Sequence, residues 1–149
     1  MNVGEQLKII LSAVQVADVM VKKAISVHEN DDFALIYEKM EEHHIRHLPV
    51  LNDAGQVAGL ITQRILFKIH SPRKLEDGSW YYDKDMLHGF ILSKVMIQNP
   101  QTVKPETTIR EAADLFVRVK TGCLPVVDAH NYLKGVITRD DILRFLVTG

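Results

Sequence analysis

Two stretches of the chain carry the same alternation of apolar and polar positions. Leu124 to Leu143 reads LPVVDAHNYLKGVITRDDIL, and Leu48 to Leu66 reads LPVLNDAGQVAGLITQRIL. In the later copy a short apolar run through Val126 and Val127 predicts a strand. Asp128 to Asn131 has turn chemistry, and Leu133, Val136 and Ile137 predict a second strand rich in branched residues. Thr138 ends that strand, and Asp140, Asp141, Ile142, Leu143 and Phe145 open a helix whose first-turn acids suit the positive end of its dipole. Pro49 and Pro125, Gly59 and Gly135, and Thr62 and Thr138 each stand 76 positions apart. Val19–Leu66 aligns with Val95–Ile142 without a gap, so the chain is an internal duplication.

The same register holds upstream. Val16 to Met20 introduces one copy and Lys94 to Met96 the other. Short strands are expected over Ile25–Val27 and Gln101–Val103. A helix capped by Asp31 then carries the stripe Phe33, Ile36, Tyr37 and Met40, and one capped by Thr107 carries Ile109, Ala112, Ala113 and Phe116. Each copy reads β-α-β-β-α, with a right-handed crossover and an antiparallel final hairpin. Three short strands with one face to bury are marginal alone. The expected fold class is therefore α/β (α+β), two such repeats packed about a pseudo-two-fold axis as one compact module. Its parts are a lead-in helix (1–15), repeat 1 (16–70), an insert (71–91) and repeat 2 (92–149).

Val3, Leu7, Ile10, Leu11 and Val14 line one face of the lead-in helix, which suits packing on a repeat or a partner chain. The insert begins as a polar loop from Ser71 to Ser79. Trp80, Tyr81 and Tyr82 follow, then a possible second lead-in helix over Asp83–Leu92. The aromatic triplet either covers the module edge or a dimer seam, or contacts a ligand or partner.

Composition narrows the function classes. A net charge of −1, with 46% hydrophobic and 25% charged residues, favours neither nucleic acid nor an anionic membrane as partner. The one cysteine, Cys123, excludes an intrachain disulfide and fits a reducing, cytoplasmic setting. No apolar run approaches the roughly 20 residues of a membrane span, and no signal peptide is read. Nucleophile elbow, zinc-protease and phosphate-loop motifs are all missing, and Asp140 and Asp141 are neighbours and not a facing pair. The chain is not expected to be an enzyme.

The pattern VADVM, LPV and GLIT, repeated as KVM, LPVV and GVITRDDIL, resembles a tandem pair of cystathionine β-synthase (CBS) domains, a Bateman module. The resemblance spans the chain apart from the lead-in and the insert. It implies clefts between the repeats that bind adenine nucleotides or S-adenosylmethionine-like ligands as regulators, and modules that pair into dimers.

Thr138 and Asp141 have the spacing of a capping box, in which the acid reaches back to the backbone. An ionised carboxylate also accepts both hydroxyl hydrogens of a ribose diol, and the Thr138 hydroxyl with the free helix N–H groups suits a phosphate or ribose oxygen. The family resemblance assigns ribose to Asp141, and Thr138 is expected to bind ligand beside it. Repeat 1 has Thr62 but Ile65 in place of the acid, so one competent cleft per module is expected. By resemblance, the opposite wall of that cleft comes from repeat 1. Arg46 and His47 would face phosphate, and Lys22, Ala24, Ile25, Ile45 and Pro49, with Val136, would form the adenine pocket. Arg46 has Gly122 as its counterpart; its plainer reading is a solvated surface base.

Glu41, Glu42, His43, His44 and His47 form a polar cluster that reads as solvated helix-end residues before it reads as a metal site, so no metal ligand is assigned. Cys123 reads as a small semi-buried thiol and not as a nucleophile. The sequence thus predicts a regulatory module with no required cofactor, sensing AMP, ADP, ATP or S-adenosylmethionine. It would signal as a homodimer or to an unidentified regulated protein. The alternative is a ligand-free dimerisation or docking module.

Overall fold

The computed structural model describes residues 1–69, 73–81 and 91–149. They fall into two compact units: Ile25–Pro100, and Met1–Ala24 together with Gln101–Gly149. The predicted mixed α/β class is found, with the β-α-β-β-α element order in the first copy and a single bridge at Val103 in place of the first strand in the second.

In the unit 25–100, β1 (Val27–His28) is followed by α2 (Phe33–His43), β2 (His47–Leu51), β3 (Val57–Thr62) and α3 (Gln63–Ile69); α1 (Val3–Ala13) belongs to the other unit. β1 runs parallel to β2, and β2 pairs antiparallel with β3 through Pro49–Leu60 and Val50–Gly59. The short helix α4 (Leu92–Val95) leads to β6 (Ile97–Gln98), which closes the sheet against β3 and gives the order β1-β2-β3-β6. The sheet buries Val27, Leu48, Val50 and Ile61 against Phe33, Ile36 and Met40 of the predicted α2 stripe.

The other unit repeats this plan. α5 (Ile109–Arg118) lies between Val103, which bridges in parallel to Val126, and the hairpin of β7 (Cys123–Val127) with β8 (Leu133–Thr138); α6 (Arg139–Thr148) ends the chain. Ile109, Ala112 and Phe116 meet Leu124, Val126 and Ile137 in its core. The fourth segment is Val21, whose N–H donates to the Val136 carbonyl at 2.9 Å while its own carbonyl accepts from Val136 at 3.1 Å. Val21 stands 76 positions before Ile97 and Val136 stands 76 after Leu60, so the two units close the same edge with equivalent residues.

The segments introducing each copy therefore do not stay with the hairpin that follows them. Residues up to Ala24 lie with the second hairpin, and Ile97–Gln98 with the first. Backbone accounting holds the first exchange: Val16 and Ala17 donate to the carbonyls of Thr107 and Pro105 at 2.7 and 2.8 Å, and Ile109 donates to Val14 at 2.8 Å. Glycine makes room for it. A Cβ at Gly135 would lie 2.5 Å from the Val21 carbonyl oxygen, and one at Gly59 would overlap the Met96 thioether.

Local caps differ from expectation by one residue in both copies. Asp32 caps α2, its carboxylate accepting from Ala34 N–H at 2.8 Å, while Asp31 accepts from His28 N–H in the turn before it. Thr108 caps α5 in a capping box with Glu111, while Thr107 accepts from Lys104 N–H. In each pair the earlier residue closes the preceding turn, leaving the next one free to cap. The early strands are also shorter than expected: Val27–His28 in one copy and a single bridge at Val103 in the other.

The lead-in helix α1 forms as predicted, opened by an Asn2–Glu5 capping box. It lies beside α5, with Leu11 and Val14 on the core while Val3, Leu7 and Ile10 stay exposed. The insert is more ordered than a loop. β4 (Arg73–Lys74) pairs with β5 (Trp80–Tyr81) across a turn where Gly78 takes φ 91°, and Lys74 sits over the exposed Trp80 ring. Tyr82 and most of the possible helix over 83–92 lie outside the described residues.

Gly135→Ala is expected to lower stability by about 1–3 kcal/mol, the usual cost of forcing extra volume into a packed site. Gly59→Ala should cost less, because the obstacle there is a flexible methionine and not a carbonyl. Urea denaturation midpoints check the order, and the reverse ranking would contradict this account of the glycines.

Candidate functional site

The candidate chemistry begins where β8 becomes α6. Thr138 is extended, and its Oγ1 accepts from Asp141 N–H at 3.2 Å. The Asp141 Oδ2 accepts from Thr138 N–H at 2.8 Å. Both halves of the capping box are thus formed, so the capping role of Asp141 is real. The carboxylate is also held in one orientation with only 10% of the side chain exposed. Among the described residues, its second oxygen, Oδ1, meets only Arg144 Nη1, at 3.4 Å from a guanidinium that is two-thirds exposed. One oxygen is committed to the backbone and the other is loosely occupied. An ionised carboxylate has about four acceptor positions, so Oδ1 keeps capacity for hydroxyl donors.

The corresponding turn between β3 and α3 keeps the cap without the acid. Thr62 Oγ1 accepts from Ile65 N–H at 3.2 Å, and the Ile65 side chain packs against the core of its unit. An apolar residue there is used for packing, which is a physical reason for the lost carboxylate.

Cys123 pairs with Thr138 in the β7–β8 ladder. It is fully buried, more so than the semi-buried thiol expected. Burial, and then the nearby negative charge of Asp141, push its thiol up from 9.0 to about 12. A thiol in that state is a poor nucleophile at neutral pH.

The other predicted residues divide between the two units. Lys22, Ala24, Val136, Thr138 and Asp141 belong to one; Ile25, Ile45, Arg46, His47 and Pro49 belong to the other. Lys22 directly follows the Val21–Val136 bridge, so it lies by β8, in the same unit as Asp141 and not with Arg46. In the unit 25–100, Ile25 and Ile45 are partly buried against the core. Arg46 is exposed, with its carbonyl accepting from Gln63 N–H at 2.9 Å, and His47 pairs with Thr62 in the ladder. Thr62 and Arg46 thus flank the same hairpin end. His43 is exposed at the end of α2, and His44 takes a left-handed conformation (φ 52°) that stops the helix. Two grooves of about 480 and 410 Å³ run along α5, both lined by Glu111 and Asp114; neither includes a predicted site residue.

Sequence reasoning did not single out His28, Glu29 and Asp53, which the β1–β2 register brings together. Asp53 is 25 positions from His28, so no local motif announces them.

The CBS domain family model matches residues 16–71 and 92–148. The chain belongs to the CBS domain family. It is 31% identical over 135 residues to a CBS domain-containing protein of Dictyostelium discoideum, covering 90% of this chain and 92% of that protein. It is also 31% identical over 137 residues to a homoserine O-acetyltransferase of Methanococcoides burtonii, of which it spans 25%. The CBS domain pair of protein MJ0100, solved with 5′-methylthioadenosine and S-adenosyl-L-methionine, has the same fold, with TM-score 0.74 at 22% identity over 90% of this chain and 96% of that one. CBSX2 of Arabidopsis thaliana, solved also with AMP, gives 0.74 at 23% identity, again over 90% and 96%.

Because the Cys123 pKa is raised on folding, its contribution to stability is full below the unfolded value near 9 and is lost as pH rises toward 12. Stability of the wild type should therefore fall more steeply between pH 9 and pH 12 than that of Cys123→Ala, measured by urea titration at each pH. Equal slopes would contradict the shift.

Proposed function

We propose that this CBS pair is a ligand-sensing regulatory module that binds an adenine nucleotide or adenosyl ligand, with Asp141 accepting the ribose hydroxyls. The observation that carries the reading is the capped, nearly buried Asp141 carboxylate, whose Oδ1 has, among the described residues, just a long contact to an exposed arginine. Ribose hydroxyls displace Arg144 there without breaking the Thr138 cap. The adenosine-bearing ligands of the MJ0100 and CBSX2 pairs support the ligand class. Arg46 is assigned to phosphate, with His47 beside it, and Lys22, Ala24, Ile25, Ile45, Pro49 and Val136 to the base. The assignment rests on the repeat register and the family resemblance. No catalytic role is proposed. Binding acts by favouring one of two arrangements of the chain, and the output passes to a homodimer partner or a regulated protein.

The competing reading is a docking or dimerisation module without a ligand. The apolar Val3, Leu7 and Ile10, exposed along α1, favour it.

Thermal shift separates the two. AMP, ADP, ATP or S-adenosylmethionine at millimolar concentration should raise the melting temperature, and silence from all four would leave the docking reading. Asp141→Ala should weaken binding by about 10- to 100-fold, since hydrogen bonds to a charged group contribute roughly 1.5–3 kcal/mol. Thr138→Ala, which removes the cap together with a hydroxyl assigned to the ligand, should cost about 1 kcal/mol of stability and weaken affinity less than Asp141→Ala. Arg46→Ala should weaken AMP binding while leaving adenosine unchanged; equal loss for both would remove Arg46 from the phosphate role.

A further inference from the structure

A second constellation of donor groups lies at the end of β1, apart from the residues assigned to nucleotide. His28 closes β1, Glu29 follows it, and Asp53 sits in the turn joining β2 to β3. One donor atom from each, an imidazole nitrogen and a carboxylate oxygen from either acid, lie within 4.8 Å of one another. The backbone fixes this approach. His28 registers with Leu51, and Glu29 N–H donates to the Leu51 carbonyl at 2.9 Å. The turn is closed by Asn52 Oδ1, which accepts from Ala54 and Gln56 N–H at 3.0 and 2.9 Å, with Gly55 at φ 85°.

The charges around the imidazole are unbalanced. Among the described residues, Glu29 has no side-chain partner, and Asp53 has only His28 Nε2, at 2.7 Å. No lysine or arginine of the described residues forms an ion pair with either acid. The second copy acts as an internal control. Its equivalent positions are Lys104, Pro105 and Ala129, although Asp128 closes the same turn by accepting from His130 and Tyr132 N–H. The fold is therefore built without these three ligand-type residues in one of its two copies.

We propose that His28, Glu29 and Asp53 bind one divalent first-row transition-metal cation, with water completing its coordination. Imidazole with carboxylates is a donor set suited to zinc and its neighbours. Bonds of about 2.0–2.2 Å to a shared ion bring donors to roughly 3–3.5 Å from one another. Loading thus opens the 2.7 Å His28–Asp53 contact slightly and draws Glu29 in, movements that side-chain rotation of a solvent-facing Asp53 and a partly buried Glu29 supplies. Asn30 N–H donates to Nδ1 at 3.1 Å, so the unloaded ring carries its proton on Nε2 and gives it to Asp53. On loading, Nε2 releases that proton to solvent, Nδ1 takes one up, and the exposed Asn30 N–H turns to water. Metal and proton compete for the ring nitrogen.

Calorimetric titration of the full chain with zinc chloride in a non-chelating buffer at neutral pH tests this. About one equivalent should bind. Asp53→Asn, at a side chain 86% exposed, and His28→Gln should each weaken binding at least tenfold while the metal-free melting temperature stays close to wild type. Long-range proton–nitrogen NMR should show the His28 Nε2 resonance moving on zinc addition. The double variant His43→Ala with His44→Ala should keep the full affinity. Binding unaffected by Asp53→Asn, binding lost in the His43 and His44 variant, or no binding at millimolar zinc would each overturn the site. None of these results bears on the nucleotide reading, whose residues are different.

Discussion

The structure depends on how the outer edge of each β-hairpin is closed. β3 and β8 both need a partner on the side away from β2 and β7, and an open edge leaves unpaired backbone groups and a template for aggregation. In both units that partner is a segment from the other copy's introduction: Ile97–Gln98 against β3, Val21 against β8. The exchange works because the hairpin carries glycine at the crossing point. At Gly135 the incoming Val21 carbonyl occupies the space that any side chain would claim, and at Gly59 the Met96 thioether does. Repetition of Gly59 and Gly135 in register thus has a packing cause, independent of turn formation or ligand contact.

That exchange also decides which residues travel together. Lys22 and Ala24 precede the first hairpin in sequence, yet they belong to the unit that holds Thr138 and Asp141. A reading that assigns residues to walls by sequence copy places them with Arg46. The chain's backbone bonds, from Val16 and Ala17 to Thr107 and Pro105, place them with the second hairpin. In a duplicated chain the unit of function and the unit of sequence need not coincide, and segments between copies are where they separate.

Much of the fold was legible because the periodicities were strong. The helical stripes through Phe33, Ile36 and Met40, and through Ile109, Ala112 and Phe116, are the buried faces of α2 and α5. The proline-led strands pair as expected, since apolar runs bounded by turn residues have few alternatives. Caps were less legible. Asp31 and Asp32, or Thr107 and Thr108, are adjacent and chemically equivalent; choosing between them needs the hydrogen bond that the preceding turn takes first. The insert was read as a loop because Arg73–Lys74 and Trp80–Tyr81 are each two residues long, too short for any alternation to show. At the candidate site, Thr138 and Asp141 were visible as a local spacing, whereas His28, Glu29 and Asp53 meet only through strand pairing.

The two copies also show how one scaffold position is put to different uses. At the third residue of the helix after each hairpin, the second copy has an acid and the first an isoleucine. Both helices start, because Thr62 and Thr138 each satisfy a terminal N–H. The acid adds a return bond to the backbone, and isoleucine adds packing against the core. Neither is required by the fold alone, so either copy is free to give up one contribution for the other. The same freedom appears at the strand end, where His28 and Asp53 in one copy correspond to Lys104 and Ala129 in the other. Positions where duplicated halves keep the backbone and diverge in side-chain chemistry are those that the architecture leaves open, and both candidate sites of this chain fall on such positions.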